Sequence, residues 1–374
     1  MRRRIAILFG GRSAEHEISC ISARSVMDAL DPERYEVVPI GVTKDGRWRL
    51  VPGGPPALPS GSSAMALPAV TPAAGSEVAL DQDPGARALV SEDGSRTEID
   101  VVFPVMHGPY GEDGSVQGFL EMAGVPYVGA GVLGSALGMD KGVQKVLFMQ
   151  AGIPVVEHEV VHEREWEEDP EAVEARAGHL GLPLFVKPCT LGSSVGITKV
   201  HRSEDLPAAM EEALSYGRKV VLERSVEDAR EIEVAVLGND EPVASVAGEI
   251  VPKGAHEFYD YEAKYVDEHG AELRIPADLP PDVLAEVQRL AVAAFLAIDG
   301  AGMARVDFFL RPDGSLLLNE VNTIPGFTQI SMYPKLWEAS GLPYPELVDR
   351  LVELAIERFE RERKRGTGRS TPPG

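Results

Sequence analysis

The sequence predicts a chain that opens with a parallel α/β domain and continues into two further units that mix strands and helices. A short apolar run over residues 4–9 leads through a glycine pair, 10–11, into a predicted helix over 14–30 and a strand over 35–42. The pattern changes after residues 152–154. At about 150 residues per domain, 374 residues are enough for two or three domains.

The remaining elements of the first unit are less regular. A third strand is predicted over 100–106, and Ser13 is the predicted N-cap of the first helix. Residues 51–75 hold six prolines, four glycines and three serines, which predicts a surface excursion with little regular structure and no part in the chemistry.

The second and third units are predicted to alternate strands and helices. The second is predicted to contain helices over 170–180 and 203–215 and strands over 184–188, 196–201, 219–223 and 232–237. The third is predicted to contain helices over 282–299 and 344–363. The first of these two is amphipathic, with one apolar stripe that includes Val287, Leu290 and Phe295. A basic, Gly/Pro-rich tail from Lys364 is predicted to be disordered.

The charge balance limits the classes of partner. With 36 basic and 59 acidic residues the net charge is −23, which argues against a general binder of nucleic acid or of membrane surfaces. An anionic substrate would therefore need a local cluster of lysines and arginines. Two cysteines suit a reducing compartment, and the apolar run after the first residues is too short for a signal peptide. The uncharged stretch 122–139 contains Pro126 and five glycines and is predicted to form turns. The expected location is the cytoplasm.

The most informative segment is a predicted β-hairpin around Asp313-Gly314. A two-residue loop would place Asp307 opposite Glu320 and Arg305 opposite Asn322, with all four side chains on one face. Directly opposed carboxylates need a cation between them, and oxygen ligands of this kind favour Mg²⁺. A solvated face of an antiparallel pair is the alternative, and a three-residue loop with a bulge would shift this register.

A second segment, 187–196, indicates anion binding. A predicted strand ends at Lys187 and is followed by a loop of small residues that includes Ser193 and Ser194. Backbone N–H groups and hydroxyls in such a loop can close over phosphates, while the lysine supplies a point charge. The loop is not of the Walker A type, because the lysine precedes the glycines. A plain turn between two strands remains an alternative.

Two further segments follow predicted strands. The loop 107–118 begins with His107, which has no second His or Cys nearby, so a zinc site is not expected and a structural histidine is the alternative. The loop 10–17 contains Glu15 near a helix start, where the helix dipole alone favours an acidic residue.

Taken together, these segments resemble the ATP-grasp superfamily and, within it, the D-alanine–D-alanine ligase family. The matching stretches run in family order from residue 4 to about 359; they are 10–19, 107–121, 139–141, 187–196, 230–233, 259–265 and 319–328. The resemblance implies an ATP-grasp fold in which an N-terminal α/β domain precedes two α+β domains. The implied boundaries are 1–138 for the substrate-binding domain, 139–239 for the central lid domain, 240–363 for the domain with the metal site, and 364–374 for the tail.

The resemblance also implies a reaction. ATP phosphorylates the carboxylate of one D-alanine to give an acyl phosphate and ADP, and the amine of a second D-alanine then displaces phosphate. The product would serve peptidoglycan synthesis and cell shape. The implied cofactors are ATP, as substrate, and two Mg²⁺ ions, for which Mn²⁺ can substitute. The implied partners are two D-alanine molecules and ATP, with no nucleic acid or membrane, and the implied assembly is a homodimer.

The family's site residues carry over one by one. The ATP-binding set comprises Lys141, Lys187, Ser193, Ser194, Glu223, Arg224, Ser225, Val226, Glu231, Tyr259 and Lys264. Within it the three lysines would bind the phosphates, residues 223–226 the adenine and Glu231 the ribose. The metal ligands would be Asp307, Glu320 and Asn322. The family often has an aromatic residue where this chain has Ser225, so a stacking partner for adenine is missing at that position.

The implied catalytic set comprises Glu15, Ser193, Tyr265, Arg305, Gly326 and Ser331, and the substrate-binding set comprises Glu15, His107, Ser331 and Met332. Glu15 would hold the ammonium of the first D-alanine, and Tyr265 and Ser193 would link to it and close the site. Arg305 and the Gly326 N–H would stabilise the oxyanion of the second step. Two alternatives remain: a D-alanine–D-lactate ligase, disfavoured because the stretch 259–265 is intact, and a non-catalytic nucleotide sensor, disfavoured because no metal ligand or phosphate lysine is lost.

Overall fold

A computed structural model describes residues 2–55, 67–252 and 271–366. The strands in chain order are β1 (Arg3–Gly10), β2 (Tyr35–Val42), β3 (Trp48–Leu50), β4 (Ser76–Leu80), β5 (Ala88–Ser91), β6 (Arg96–Glu98), β7 (Val101–Pro104), β8 (His158–His162), β9 (Leu184–Pro188), β10 (Thr198–Val200), β11 (Lys219–Arg224), β12 (Arg230–Gly238), β13 (Val243–Pro252), β14 (Ala271–Arg274), β15 (Gly302–Leu310) and β16 (Leu316–Asn322). The α-helices are α1 (His16–Ala29), α2 (Ser115–Met122), α3 (Val132–Met139), α4 (Lys141–Gln150), α5 (Glu163–Glu168), α6 (Pro170–Leu180), α7 (Leu206–Leu214), α8 (Pro281–Ala297), α9 (Met332–Ala339) and α10 (Tyr344–Gly366), and a 3₁₀ turn spans Ser203–Asp205.

The first sheet has the strand order β6-β5-β4-β3-β2-β1-β7. Strand β1 is parallel to both β2 and β7, which confirms the predicted parallel opening. The antiparallel extension from β3 to β6 was not predicted, because strands of three to five residues carry too little alternation to be read from sequence. Both faces of β1 are buried, so its apolar run is continuous.

The first helix begins two residues later than predicted. Ser13 is not its N-cap; instead the Ser13 hydroxyl accepts a hydrogen bond from the Glu15 N–H at 3.2 Å, and Glu15 occupies the cap position without capping the helix. The Glu15 side chain is thereby left to point elsewhere, toward the loop that contains Ser193.

Two other expectations for the first unit need correction. The described part of the 51–75 excursion is not confined to the surface: Val70 is buried and its N–H donates to His16 Nε2 at 2.9 Å. Part of the stretch expected to form turns is the helix α3, since its glycines permit close packing and do not break the helix. Within residues 2–55, 67–252 and 271–366, no helix is both long enough and apolar enough to cross a membrane.

The second sheet is antiparallel, with the order β10-β9-β11-β8. One face is packed against α6 and α7 through side chains that include Leu184, Val186 and Leu222. Since side chains alternate along a strand, Lys187 and Glu223 lie on the opposite face. That face borders the cleft described below.

The third sheet is antiparallel, with the order β14-β13-β12-β15-β16. The strand predicted over 232–237 was assigned to the second unit, which is wrong: it is β12, and it pairs with β13 and β15 in this sheet. Helix α8 covers one face with the predicted apolar stripe, which includes the buried residues Val287, Leu290 and Phe295. On the other face of the sheet, β12 changes from polar to apolar along its length. Residues 231 and 233 are glutamates, whereas Ala235 and Leu237 join an apolar core. One alternating strand therefore serves both the core and a polar site.

The final helix, α10, runs three residues beyond its predicted end. Residues 364–366 are helical, contrary to the expected disorder from Lys364. The rest of the tail, 367–374, lies outside the described residues.

Candidate active site

A cavity of about 510 Å³ separates the second sheet from the third. Its walls include every predicted ATP-binding residue in the described chain, namely Lys141, Lys187, Ser193, Ser194, Glu223, Arg224, Ser225, Val226 and Glu231, and two predicted metal ligands, Asp307 and Glu320. A larger, more open cavity of about 880 Å³ lies between residues 84–87 and the end of α10, and none of the predicted site residues lines it. The smaller cavity is the candidate site.

The predicted hairpin pairing is confirmed, although its turn is not the one assumed. Asp307 lies opposite Glu320 and Arg305 opposite Asn322. Nearer the turn Phe308 pairs with Leu318, because three residues form the loop. The extra residue in β16 is a β-bulge, and it shifts the register back by one position. The third residue of the turn and the bulge each shift the register by one residue, in opposite directions. Asp307 and Glu320 therefore still face each other.

A group of charged side chains on this face, here called the carboxylate cluster, comprises Glu233, Arg305, Asp307 and Glu320. Glu233 is opposite Asp307 on β12, so three carboxylates lie in a row across three strands. Arg305 donates a two-pronged hydrogen bond to Asp307, at 2.8 and 2.7 Å, and its Nε lies 3.1 Å from Glu233. Burial would lower the pKa of Arg305, but Asp307 and Glu233 raise it well above its ordinary value. Arg305 therefore remains charged and locked in place.

A second group, here called the lysine cluster, comprises Lys141, Lys145, Lys187 and Glu223. The two oxygens of the buried Glu223 contact Lys145 Nζ at 2.7 Å and Lys187 Nζ at 2.5 Å. Burial alone would raise the pKa of Glu223, but Lys145 and Lys187 lower it to about 2. Glu223 is thus an ionised bridge between two lysines. Sequence reasoning missed Lys145; its position four residues after Lys141 on the same helix was the available signal.

Helix α4 joins the two clusters. Lys141 Nζ lies 3.2 Å from Glu320 and donates to the Leu191 carbonyl at 2.7 Å. Burial would lower the pKa of Lys141, but the charge of Glu320 raises it. The Gln144 amide holds the backbone of Val321 from both sides, accepting its N–H and donating to its carbonyl at 3.0 Å each. The phosphate-binding candidate and the hairpin are therefore rigidly connected.

The adenine end of the cavity differs from the expectation in detail. The N–H groups of Arg224 and Ser225 donate to the carbonyls of Glu157 and Pro183, so both N–H groups already have hydrogen-bond partners within the protein. The Arg224 side chain is exposed and pairs with Glu157. Two aromatic side chains that were not predicted, Phe185 and Phe309, line the cavity. They provide aromatic surface that Ser225 lacks.

The loop of small residues closes on Glu15. The Ser193 hydroxyl donates to Glu15 Oε1, and the backbones of Gly108 and Gly192 approach the other oxygen so closely that an added Cβ would lie within 3.4 Å of it. Ser193 and Ser194 adopt left-handed backbone angles, φ 50° and 59°, which few residues other than glycine favour. The tight turn brings the second sheet's loop against the first domain's loop.

His107 lies behind this contact. Its Nδ1–H donates to the Ile324 carbonyl at 3.1 Å, and Glu112 is 3.6 Å from the same nitrogen. Burial would lower the pKa of His107, but Glu112 and Glu15 raise it. His107 therefore links the Glu15 side of the site to the segment that follows β16.

Three predicted residues, Gly326, Ser331 and Met332, lie at or just before the start of α9. Ser331 is the N-cap residue of α9, its hydroxyl accepts the Thr328 N–H at 3.1 Å, and an added Cβ on Gly326 would lie 3.1 Å from that hydroxyl. The side chain of Met332 is buried in the core against Gly248, so only its backbone N–H can meet a substrate. A helix N-terminus favours an anion such as a carboxylate.

The donor set suits a divalent cation held jointly with a nucleotide. Asp307, Glu320 and the amide of Asn322 carry hard oxygen atoms of the kind that bind Mg²⁺. Asn322 is not among the residues that line the cavity, and its side-chain oxygen accepts the Ile324 N–H at 3.0 Å. In the described parts of the chain, no three His, Cys, Asp or Glu side chains are close enough to hold a metal by themselves. Mg²⁺ is commonly bound by one or two carboxylates together with substrate phosphates, and this set fits that pattern. Tyr259, Lys264 and Tyr265 lie outside the described residues.

The chain is similar to known proteins over nearly its whole length. Family models described as the D-ala D-ala ligase N-terminus and C-terminus match residues 4–130 and 147–353. Curated D-alanine--D-alanine ligases of Thermoanaerobacter sp. (strain X514) and Streptomyces griseus are each 51% identical, covering 95% of this chain and 97% and 93% of theirs.

Solved structures agree with these matches. The D-alanine-D-alanine ligase from Coxiella burnetii superposes with a TM-score of 0.83 at 38% identity, covering 97% of this chain and 96% of that one. The VanG D-Ala:D-Ser ligase from Enterococcus faecalis gives 0.80 at 33% identity, covering 95% and 100%. With both family models matched and relatives half identical over the full length, this chain belongs to the D-alanine–D-alanine ligase family.

Proposed function

We propose that this chain joins two D-alanine molecules to D-alanyl-D-alanine at the expense of ATP, through a D-alanyl phosphate, for peptidoglycan precursor synthesis. Family membership supports an ATP-dependent ligase. The observation that carries the proposal is the 3.2 Å contact between Lys141 and Glu320, which joins a cation suited to phosphate with the opposed carboxylates. Nucleotide and metal ligands thus share one cavity.

We also propose that the three sheets correspond to three domains with ATP between the last two: residues 1–138, 139 to about 229, and about 230 to 363. The boundary expected at 239 is moved because β12 (Arg230–Gly238) belongs to the third sheet. Each sheet has its own helices and much of its own apolar core, which supports this division. The arrangement is that of an ATP-grasp fold, an N-terminal α/β domain followed by two α+β domains.

In the first step a carboxylate oxygen of D-alanine attacks the γ-phosphorus, the bond to the β,γ-bridging oxygen breaks, and ADP leaves. Lys141 and Lys187 hold phosphate oxygens, and Lys264 would add a third cation. Phe185 and Phe309 flank the adenine, while Glu231, opposite Phe309 on β12, accepts from the ribose. Ser193 and Ser194 cover the phosphates.

Asp307, Glu320 and Asn322 would hold one or two Mg²⁺ ions, or Mn²⁺ in their place. These ions would neutralise the phosphates and help to orient the γ-phosphoryl group. The opposed placement of Asp307 and Glu320 leaves two carboxylates whose mutual repulsion a cation relieves.

In the second step the amine of another D-alanine attacks the acyl carbon, and phosphate leaves from the tetrahedral intermediate. Glu15 binds the ammonium of the first D-alanine, and His107 supports that side of the site. Arg305 and the Gly326 N–H stabilise the oxyanion. Ser331 and the Met332 N–H, at the start of α9, bind the carboxylate of the second D-alanine. Tyr265, with Ser193, would close the site against water.

The test is to measure phosphate release with ATP and Mg²⁺, with D-alanine alone and with D-alanine together with equal D-lactate or D-serine, and to identify the products by mass spectrometry. The proposal predicts turnover that requires D-alanine and yields mainly the D-alanyl-D-alanine dipeptide. Ester as the main product would indicate a depsipeptide ligase, and ATP binding without turnover would indicate a nucleotide sensor. Either result would refute the proposal.

We propose a cytoplasmic homodimer that binds neither nucleic acid nor membranes. The high negative charge supports the last point. Apolar side chains on α2 and α3 support an interface, since Phe119, Met122 and Leu133 are 40%, 80% and 57% exposed. Light scattering should give twice the monomer mass, and Met122→Glu should yield monomers.

A further inference from the structure

Lys145 is a lysine that the proposed reaction does not use. Its side chain is 1% exposed, on α4 one turn after Lys141. Its ammonium contacts Glu223 at 2.7 Å and donates to the Asn319 carbonyl on β16 at 3.3 Å. A fully buried lysine is rare and needs a charged partner, so its presence asks for an explanation.

Lys187, the second partner of Glu223, indicates why a lysine is buried at position 145. Lys187 contacts the other oxygen of Glu223, yet it also lines the cavity where phosphates would bind. If Lys187 were the sole cation beside Glu223, its movement toward ATP would strand a buried carboxylate. Such a carboxylate would hold Lys187 back and weaken nucleotide binding.

We propose that Lys145 is a positioning residue, the permanent counter-ion of Glu223, which frees Lys187 to bind the phosphates of ATP. The inference rests on the proposed function, since it requires a nucleotide in the cavity. Lys145 is not among the residues that line the cavity: it lies behind the cavity wall and contacts Glu223 and the Asn319 carbonyl of β16. Lys141 does not replace it, because its ammonium contacts Glu320 and the Leu191 carbonyl and its remaining N–H is assigned to the phosphates.

A double-mutant cycle between Lys145 and Glu223 tests this role. The variants are Lys145→Met, Glu223→Gln and the pair together, and calorimetry measures the affinity for a non-hydrolysable ATP analogue with Mg²⁺. Glu223→Gln keeps an oxygen that can accept from adenine but removes the charge that retains Lys187. A parallel cycle with Lys145→Gln, which keeps a polar end group, guards against a methionine variant that fails to fold.

In the chain with Glu223 intact, Lys145→Met should weaken analogue binding by about 10-fold or more, because Lys187 then remains with Glu223. In the Glu223→Gln background the same substitution should cost less than about threefold. The KM for ATP should rise in step with the analogue Kd, while kcat at saturating ATP changes by less than about threefold.

Equal losses of affinity in both backgrounds would overturn the proposal, since Lys145 would then act through packing alone. No loss in either background would overturn it as well. A wild-type chain that does not bind the analogue would instead refute the proposed function, so the two failures are distinguishable.

Discussion

The lysine cluster and the carboxylate cluster are both largely buried, with side chains 1–25% exposed, yet they carry opposite charge. Three lysines against one glutamate leave the first with a formal charge of +2, and three carboxylates against one arginine leave the second with −2. They meet at the contact between Lys141 and Glu320. The cavity therefore offers a cationic wall to phosphates and an anionic wall to divalent cations.

This contrast explains how a chain of net charge −23 can bind a tetra-anionic nucleotide. Binding depends on the local field inside a low-dielectric cavity, where charges act far more strongly than on the surface. The two clusters should therefore have separable effects: changes in the first should alter nucleotide affinity, and changes in the second should alter turnover.

The largest effect is expected from Asp307→Asn in the carboxylate cluster. Loss of this charge should lower turnover by about 10³-fold or more, because the metal loses an anionic ligand, while Arg305 keeps Glu233 as a partner and the fold persists. Dipeptide formation is measured over a range of Mg²⁺ concentrations. Asp313→Asn, on the exposed turn of the same hairpin, is the matched control and should stay near wild type. Near-normal activity of Asp307→Asn at moderate Mg²⁺ would contradict the assignment.

Next in size is Lys187→Met in the lysine cluster. Analogue affinity should fall by about 30-fold, since a charge-assisted contact to phosphate is lost. Calorimetry measures it, and Lys44→Met, which removes an exposed lysine paired with Glu17, serves as control. If both variants bind the analogue equally well, Lys187 does not contact the phosphates.

The two clusters also differ in how far the sequence predicted them. The pairing of Asp307 with Glu320 was predicted from an assumed two-residue turn, and it is right because the bulge in β16 offsets the third residue of the turn. No residue pattern indicates the bulge that restores the register, because the sequence of β16 is that of an ordinary strand. The sequence indicated only the alternation of side chains on each side of the bulge.

Lys145 and Glu233 were missed for a different reason. A lysine four residues after another on a helix usually marks a solvated face, and only the packing of α4 against β16 buries this one. Glu233 alternates with Glu231 on β12, but its contact with Arg305 depends on the pairing of β12 with β15, which local pattern does not reveal. Long-range pairing is the information that one sequence lacks.

A moderate effect is expected from Gln144→Ala, which tests the connection between the clusters. Loss of the amide leaves the N–H and carbonyl of Val321 without this partner, so the free energy of unfolding should fall by about 1–3 kcal/mol. Turnover should fall by about 10-fold, because Glu320 is the neighbouring residue. Thermal denaturation and steady-state kinetics measure the two effects. Gln150→Ala, exposed at the end of the same helix, should change neither; equal behaviour of the two variants would mean that the clusters are not coupled through Gln144.

The smallest effect on stability and turnover is expected from breaking an ion pair on the protein surface. Arg164 and Glu168 form an ion pair on α5 at 2.7 Å with side chains 83% and 62% exposed. Arg164→Ala should change the free energy of unfolding by less than about 0.5 kcal/mol and leave turnover unchanged. Urea denaturation checks the value, and a loss of several kcal/mol would mean that burial is not what distinguishes the two clusters from surface pairs.

The division of labour between the clusters is tested most directly by one variant, Arg305→Met, with kcat and analogue affinity measured on the same preparation. Arg305 is buried in the carboxylate cluster and is not among the residues that line the nucleotide cavity, so its loss should not weaken nucleotide binding directly. Its proposed stabilisation of the oxyanion should act on the bond-forming step. We predict a fall in kcat of about 100-fold or more with analogue affinity within about threefold of wild type. A variant that loses nucleotide affinity but keeps kcat would contradict the account.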